Sequence, residues 1–86
     1  MDRSQVYKMI DDERFYQDND RRKIEGETRT DDEKSVAEFI LYIEHTLAKA
    51  KAAIYQLNEK QAMSYIRKVA GLAVAAMETH ETPPRA

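Results

Sequence analysis

The chain of 86 residues has no cysteine and no tryptophan, only two glycines and two prolines, and no marked excess of charge. Without cysteine, disulfides, thiol catalysis and zinc fingers are excluded, and nothing depends on an oxidising compartment. Gly26, Gly71, Pro83 and Pro84 are too few punctuating residues for a turn-rich β architecture. Fourteen basic against sixteen acidic side chains leave a net charge of -2, too balanced to favour nucleic acid or an anionic membrane as partner. No apolar run approaches the roughly 20 residues that cross a bilayer, and the leading MDRSQ has no signal-peptide core. These absences predict a cytoplasmic protein with no membrane partner.

What is present favours helix: alanine, lysine, glutamate and glutamine are strong helix formers. A single all-α domain over residues 1–86 is expected. A chain this short buries only about 60% of its unfolded surface, so its core is thin and assembly with further copies of itself is expected.

Ser4 is placed to cap a first helix over 4–17, with Val6, Met9, Ile10, Glu13 and Tyr16 or Gln17 at helical spacing. The stretch 18–31, DNDRRKIEGETRTD, alternates charges around a glycine and reads as an irregular polar loop. Thr30 with Glu33 fits a capping box and predicts a second helix over 32–57. Along it Val36, Ile40, Ile43, Leu47, Ala50, Ile54 and Leu57 alternate four and three apart, widened on one side by Phe39, Thr46 and Ala53. Asn58 with Gln61 fits another capping box, so a third helix over 59–80 folds back as an antiparallel hairpin, before a tail over 81–86. Two apolar rows run along this helix, Tyr65, Val69, Leu72, Ala76 and Ile66, Ala70, Ala73, Met77. A stripe so broad predicts two neighbours: the second helix and either the first helix or a partner subunit.

Chemistry is sparse. Glu38 and Glu44 lie six apart, about 240° around a helix, and the third helix has no acid between Glu59 and Glu78. No carboxylate cluster for magnesium follows. His45 beside Glu44, and His80 near Glu78 and Glu81, are the only histidines for a metal and equally suit plain solvation. Ser4, Ser35 and Ser64 have no histidine at local spacing for nucleophilic catalysis, and no glycine-rich phosphate loop occurs. No catalytic residue, metal or cofactor is expected. Cations and rings are left. Arg14, Arg21, Arg22, Lys23 and Arg29 fall in or beside the polar loop, with Tyr7, Phe15 and Tyr16 on the first helix and Arg67 and Lys68 on the third. Arginine forks suit phosphate oxygens and aromatic rings suit bases. The cations in and beside the loop equally suit pairing with the loop aspartates, and Arg67 and Lys68 equally suit a solvated face.

The segments VYKMIDDERFYQDNDRR, EFILYIEHTLAKAKAA and YIRKVAGLAVAAMETHETPPR resemble, in turn, the first, second and closing helices of small phage and prophage proteins related to the MazG-like all-α nucleotide pyrophosphohydrolases. In hydrolysing members of that family an E-E-x-x-E motif lies on the second helix and an E-x-x-D motif on the next. Here Glu44 is the single acid at the first, with Ile43 and Leu47 in the other places, and Lys68 and Gly71 stand where the second pair of acids belongs. The resemblance therefore implies an oligomeric helical scaffold that has lost its metal site and kept a taste for nucleotides. Small phage sponges that sequester cyclic nucleotide signals of bacterial immune systems supply an analogy for such a protein, acting in the host cytoplasm with Tyr7, Arg14, Tyr16, Arg21, Arg22, Lys23, Arg29 and Arg67 as ligand-binding residues. The rival expectations are a helical module that docks a protein partner and a residual pyrophosphohydrolase.

Overall fold

A computed structural model describes residues 1–21 and 31–85. They form three helices and no strand: α1 (Arg3–Tyr16), α2 (Val36–Tyr55) and α3 (Glu59–Thr79). No described helix is long and apolar enough to cross a membrane.

The starts of these helices follow from their caps. Asp2, two residues ahead of Ser4, accepts from the Gln5 backbone N–H at 2.9 Å, and the Gln5 side chain accepts from the Asp2 backbone in return. The Gln5 N–H and the Ser4 hydroxyl hold the Asp2 carboxyl below its usual pKa, as expected when donors favour the charged form. At its C-terminal end α1 widens into a π turn, Gln17–Arg21, so helical backbone enters the segment expected to be an irregular loop; residues 22–30 lie outside the described residues. The second helix also starts later than residue 32. Asp31–Glu33 form a 3-10 turn, and Ser35 caps α2 through a reciprocal box with Glu38. Both Thr30-x-x-Glu33 and Ser35-x-x-Glu38 satisfy the same pattern, and the second is the one that starts the helix.

A tight connection turns α2 into α3. Asn58 N–H donates to the Ala53 carbonyl and Leu57 N–H to that of Ile54, both at 2.9 Å, the paired bonds that close a helix with one left-handed residue. That residue is Leu57, at φ 58°, where glycine is usual and a side chain costs on the order of 1 kcal/mol. Asn58 then caps α3 by accepting from Gln61 N–H. Leu57 is thereby turned outward, 92% exposed, and ends no apolar seam.

The hairpin is antiparallel: the Phe39 ring near the start of α2 meets the His80 ring at the end of α3 edge-on, with centroids 6.0 Å apart. His80 Nε2 lies 2.8 Å from the Lys34 carbonyl oxygen; since a carbonyl only accepts, Nε2 carries the proton. Between the helices the core consists of Phe39, Ala50, Ala53, Ala62, Leu72 and Ala75, with Thr46 also buried. Small residues dominate it and let the backbones approach closely. The row expected to form the seam is split by this choice: Ala50 is buried and Ile43 half-buried, but Val36, Ile40, Leu47 and Ile54 stay about half exposed, while Phe39, Thr46 and Ala53, expected only to widen the stripe, face inward. Of the two neighbours left open for α3, α1 is the second: α3 lies between α2 and α1.

Candidate functional site

The helix α1 docks on α3 through polar groups. Glu13 and Gln17, one turn apart, are both buried. Gln17 Nε2 donates to Glu13 Oε2 at 3.0 Å and to the Lys68 carbonyl at 3.2 Å. Arg67 Nε donates to Glu13 Oε1 at 3.1 Å. The stretch from Glu13 to Gln17 is thus the clasp between first and last helix. Gly71 makes the clasp possible: a Cβ there would lie 2.8 Å from Gln17 Nε2 and 2.9 Å from Glu13 Cγ. Gln17 is tethered at both ends and cannot simply swing aside. Overpacking of this kind costs about 1–3 kcal/mol, against about 1 kcal/mol gained when alanine replaces a helical glycine. Gly71→Ala is expected to lower stability by about 1 kcal/mol net and to speed amide exchange across α1, read by urea unfolding and hydrogen exchange; a gain in stability would show that the clasp is slack.

On its other side α1 presents Arg14, whose side chain is only 13% exposed. Its Nη2 donates to Asp18 Oδ1 and Asp31 Oδ2, both at 2.9 Å, and its Nη1 to Gln17 Oε1 at 3.0 Å. The Nε is buried without a hydrogen bond, 3.5 Å from Glu78 Oε1. Burial alone would pull the guanidinium pKa down, but Asp18, Asp31 and Glu78 push it above its ordinary value. Asp31 also reaches buried Lys34, Oδ1 to Nζ 3.4 Å, and that ammonium sits 5.4 Å from the centre of the Tyr42 ring. Arg14 was expected to hold a phosphate. Its fork is instead committed to acids of its own chain, which joins α1 to the 3-10 turn ahead of α2.

Between α1 and α3 lies an open cleft of about 510 Å³, walled by Met9, Asp12, Glu13 and Tyr16 on one side and Gln61, Ser64, Tyr65, Arg67 and Lys68 on the other. Of the residues expected to bind a ligand, Tyr16 and Arg67 meet here. Tyr7 is exposed on α1 but does not line the cleft. Arg21 ends the π turn, with its side chain outside the described residues, as are Arg22, Lys23 and Arg29 altogether. Tyr65, which spacing sets in an apolar row, and Lys68, which suits a solvated face as well as a ligand, both wall the cleft. Spacing on α3 places Tyr65 and Lys68 three apart on one face, a signal hidden because the same spacing also describes a core row.

The charges in the cleft are partly spent. Asp12 pairs with Lys8 at 3.2 Å, and Glu13 with Arg67 through Nε alone. The terminal nitrogens of Arg67 have no hydrogen-bond partner among the described residues, and Lys68 makes no ion pair with a described residue. Among the described residues no group of three or more His, Asp or Glu side chains could hold a metal ion. His80 is engaged by Lys34 and Phe39. Comparison with the profiles of known protein families, with curated protein sequences and with solved structures finds no match to this chain.

Proposed function

We propose that this protein is a non-catalytic binder of a phosphate-bearing nucleotide, held in the cleft between α1 and α3. The observation that carries the reading is the meeting of two tyrosine rings, Tyr16 and Tyr65, with the two cations Arg67 and Lys68 around a cleft of about 510 Å³. That volume lies within the roughly 300–1,000 Å³ of small-molecule sites. Rings offer faces on which any base stacks, and a guanidinium with free terminal nitrogens offers a fork to phosphate oxygens. Of the two acids of the cleft, Asp12 is paired with Lys8 and Glu13 with Arg67 itself, so Arg67 meets an anion through its terminal nitrogens alone and Lys68 supplies the cleft's uncommitted charge among the described residues. With the family resemblance, this makes a phage sponge for a cyclic nucleotide immune signal the functional setting we favour.

Isothermal titration against cyclic dinucleotides and trinucleotides, cyclic ADP-ribose isomers and ordinary mononucleotides tests it. Binding of at least one is expected, with Lys68→Ala and Tyr65→Leu each weakening it by about tenfold, the value of one lost phosphate contact or stacking face. Heat from none of these ligands ends the reading. Binding that both substitutions leave unchanged moves the site out of this cleft.

A further inference from the structure

The apolar row that α2 does not use internally has a pattern of its own. Ile40, Leu47 and Ile54 are 51%, 50% and 51% exposed and spaced by seven, so they lie within about 40° of one another around the helix. Beside them a groove of about 590 Å³ runs between α2 and α3, walled by apolar residues that include Leu47, Ile54, Met63 and Ile66 and edged by Glu44 and Lys51. Neither Glu44 nor Lys51 makes an ion pair with a described residue.

We infer that this face is the interface of a homodimer in which two α2 helices cross antiparallel about a twofold axis at Leu47. Ile40 and Ile54 stand seven residues either side of Leu47, and Glu44 and Lys51 three before and four after it. A twofold axis at Leu47 therefore sets each Ile40 against Ile54 of the second copy and each Glu44 beside its Lys51. A surface that meets its own copy must be self-complementary in this way. A strongly acidic or basic partner would call for a rim of one sign; this rim carries one acid and one base.

The area suffices. Val36, Ile40, Leu47, Ile54, Met63 and Ile66 are all 40% exposed or more, and at about 60 Å² of apolar surface each they supply on the order of 360 Å² per copy. Homodimer interfaces are about two-thirds apolar, so the two copies together bury roughly 1,100 Å², just above the ~1,000 Å² that a specific interface needs. The face shares no residue with the walls of the α1–α3 cleft, so this inference and the nucleotide reading fail separately.

Sedimentation velocity on the full chain over a concentration series, with circular dichroism as the folding control, tests it. The wild-type chain is expected to run as a dimer that dissociates in the micromolar range, as suits an interface of minimal area. Leu47→Glu puts two like charges on the axis and is expected to run as a monomer of unchanged helicity, since Leu47 is half exposed already. Glu44→Lys and Lys51→Glu are each expected to raise the dissociation constant about tenfold, and the double reversal to bring it back within about twofold. A wild-type chain that is monomeric throughout would assign the face to some other partner and overturn the proposal. So would a Leu47→Glu variant of wild-type mass, and a double reversal no tighter than the single ones would overturn the antiparallel register.

Discussion

Truncating Phe39 to alanine is expected to remove about 3–5 kcal/mol of folding free energy, the usual cost of emptying a buried phenylalanine site. Phe39 is 2% exposed and the largest fully buried side chain among the described residues. The rest of the core on α2 is Thr46, Ala50 and Ala53, and on α3 Ala62, Leu72 and Ala75. Alanines cannot slide into the space, because the helices already approach as closely as their small residues allow, so the cavity stays open. The ring also holds one edge of His80, whose Nε2–H reaches the Lys34 carbonyl. Its loss therefore loosens the end of α3 together with the turn ahead of α2. A domain of this size has a total stability of only about 4–13 kcal/mol. At about 4–8 °C per kcal/mol, Phe39→Ala is expected to lower the melting temperature by at least ~12 °C or to abolish a cooperative transition. Phe39→Leu, which keeps most of the volume, is expected to cost less than about 1.5 kcal/mol. Thermal and urea unfolding followed by circular dichroism measure both; an alanine variant within about 1 kcal/mol of wild type would show that the hairpin does not rest on this residue.

The helices, and the hairpin between α2 and α3, were legible in the sequence because their signals are local: alanine-rich helical periodicity, a cap at Asn58 and a connection too short for anything but reversal. Periodicity marks a stripe, however, and not which edge of it faces inward. On α2 the edge was decided by size. Ala50, the one small residue of the conspicuous row, and Ala53 beside it admit α3 where Ile40, Leu47 and Ile54 would hold it off, so the large members of that row are left outside. The start of α2 was ambiguous for a different reason, since two capping boxes five residues apart compete and the 3-10 turn Asp31–Glu33 resolves them. The site was least legible. Glu13 meets Arg67, and Gln17 the Lys68 carbonyl, across separations of 54 and 51 residues, which no local pattern carries. A buried glutamate and glutamine in a helix that exposes Tyr7 and Phe15 run against ordinary patterning. They are explained only by the glycine on the facing helix. For Arg14 the sequence leaves two readings, a ligand contact or pairing with the loop aspartates; its ion pairs are with Asp18 and Asp31 of that loop, and only Glu78 arrives from a distant element.

Replacing Arg14 with methionine separates those two roles. If the guanidinium is a structural tie, its loss costs stability and leaves nucleotide binding in the α1–α3 cleft to Arg67 and Lys68. Removing one partner of a buried ion pair costs about 3–5 kcal/mol because the other charge stays buried. Here the figure must be discounted, since the Asp18 and Glu78 side chains are 44% and 63% exposed and such contacts contribute about 0–1 kcal/mol each. Asp31, whose side chain is 20% exposed, keeps Lys34 within 3.4 Å and so does not lose its only cation. The expected loss is about 2–4 kcal/mol, most of it from Asp31 and from the buried amide oxygen of Gln17, which loses its donor. Arg14→Lys is expected to recover less than half of this, because one ammonium cannot span Asp18, Asp31 and Gln17 together as the planar fork does. A double-mutant cycle with Asp31→Asn measures the pair directly. Coupling of about 1–3 kcal/mol between positions 14 and 31 is expected, and coupling near zero would leave Arg14 a surface charge. At a temperature where the Arg14→Met variant is still folded, its affinity for any nucleotide that the wild-type chain binds should stay within about threefold, because no Arg14 atom lines the cleft and loss of a direct phosphate contact would cost tenfold or more. A larger drop would return Arg14 to the ligand and make its acidic partners the groups that the nucleotide displaces.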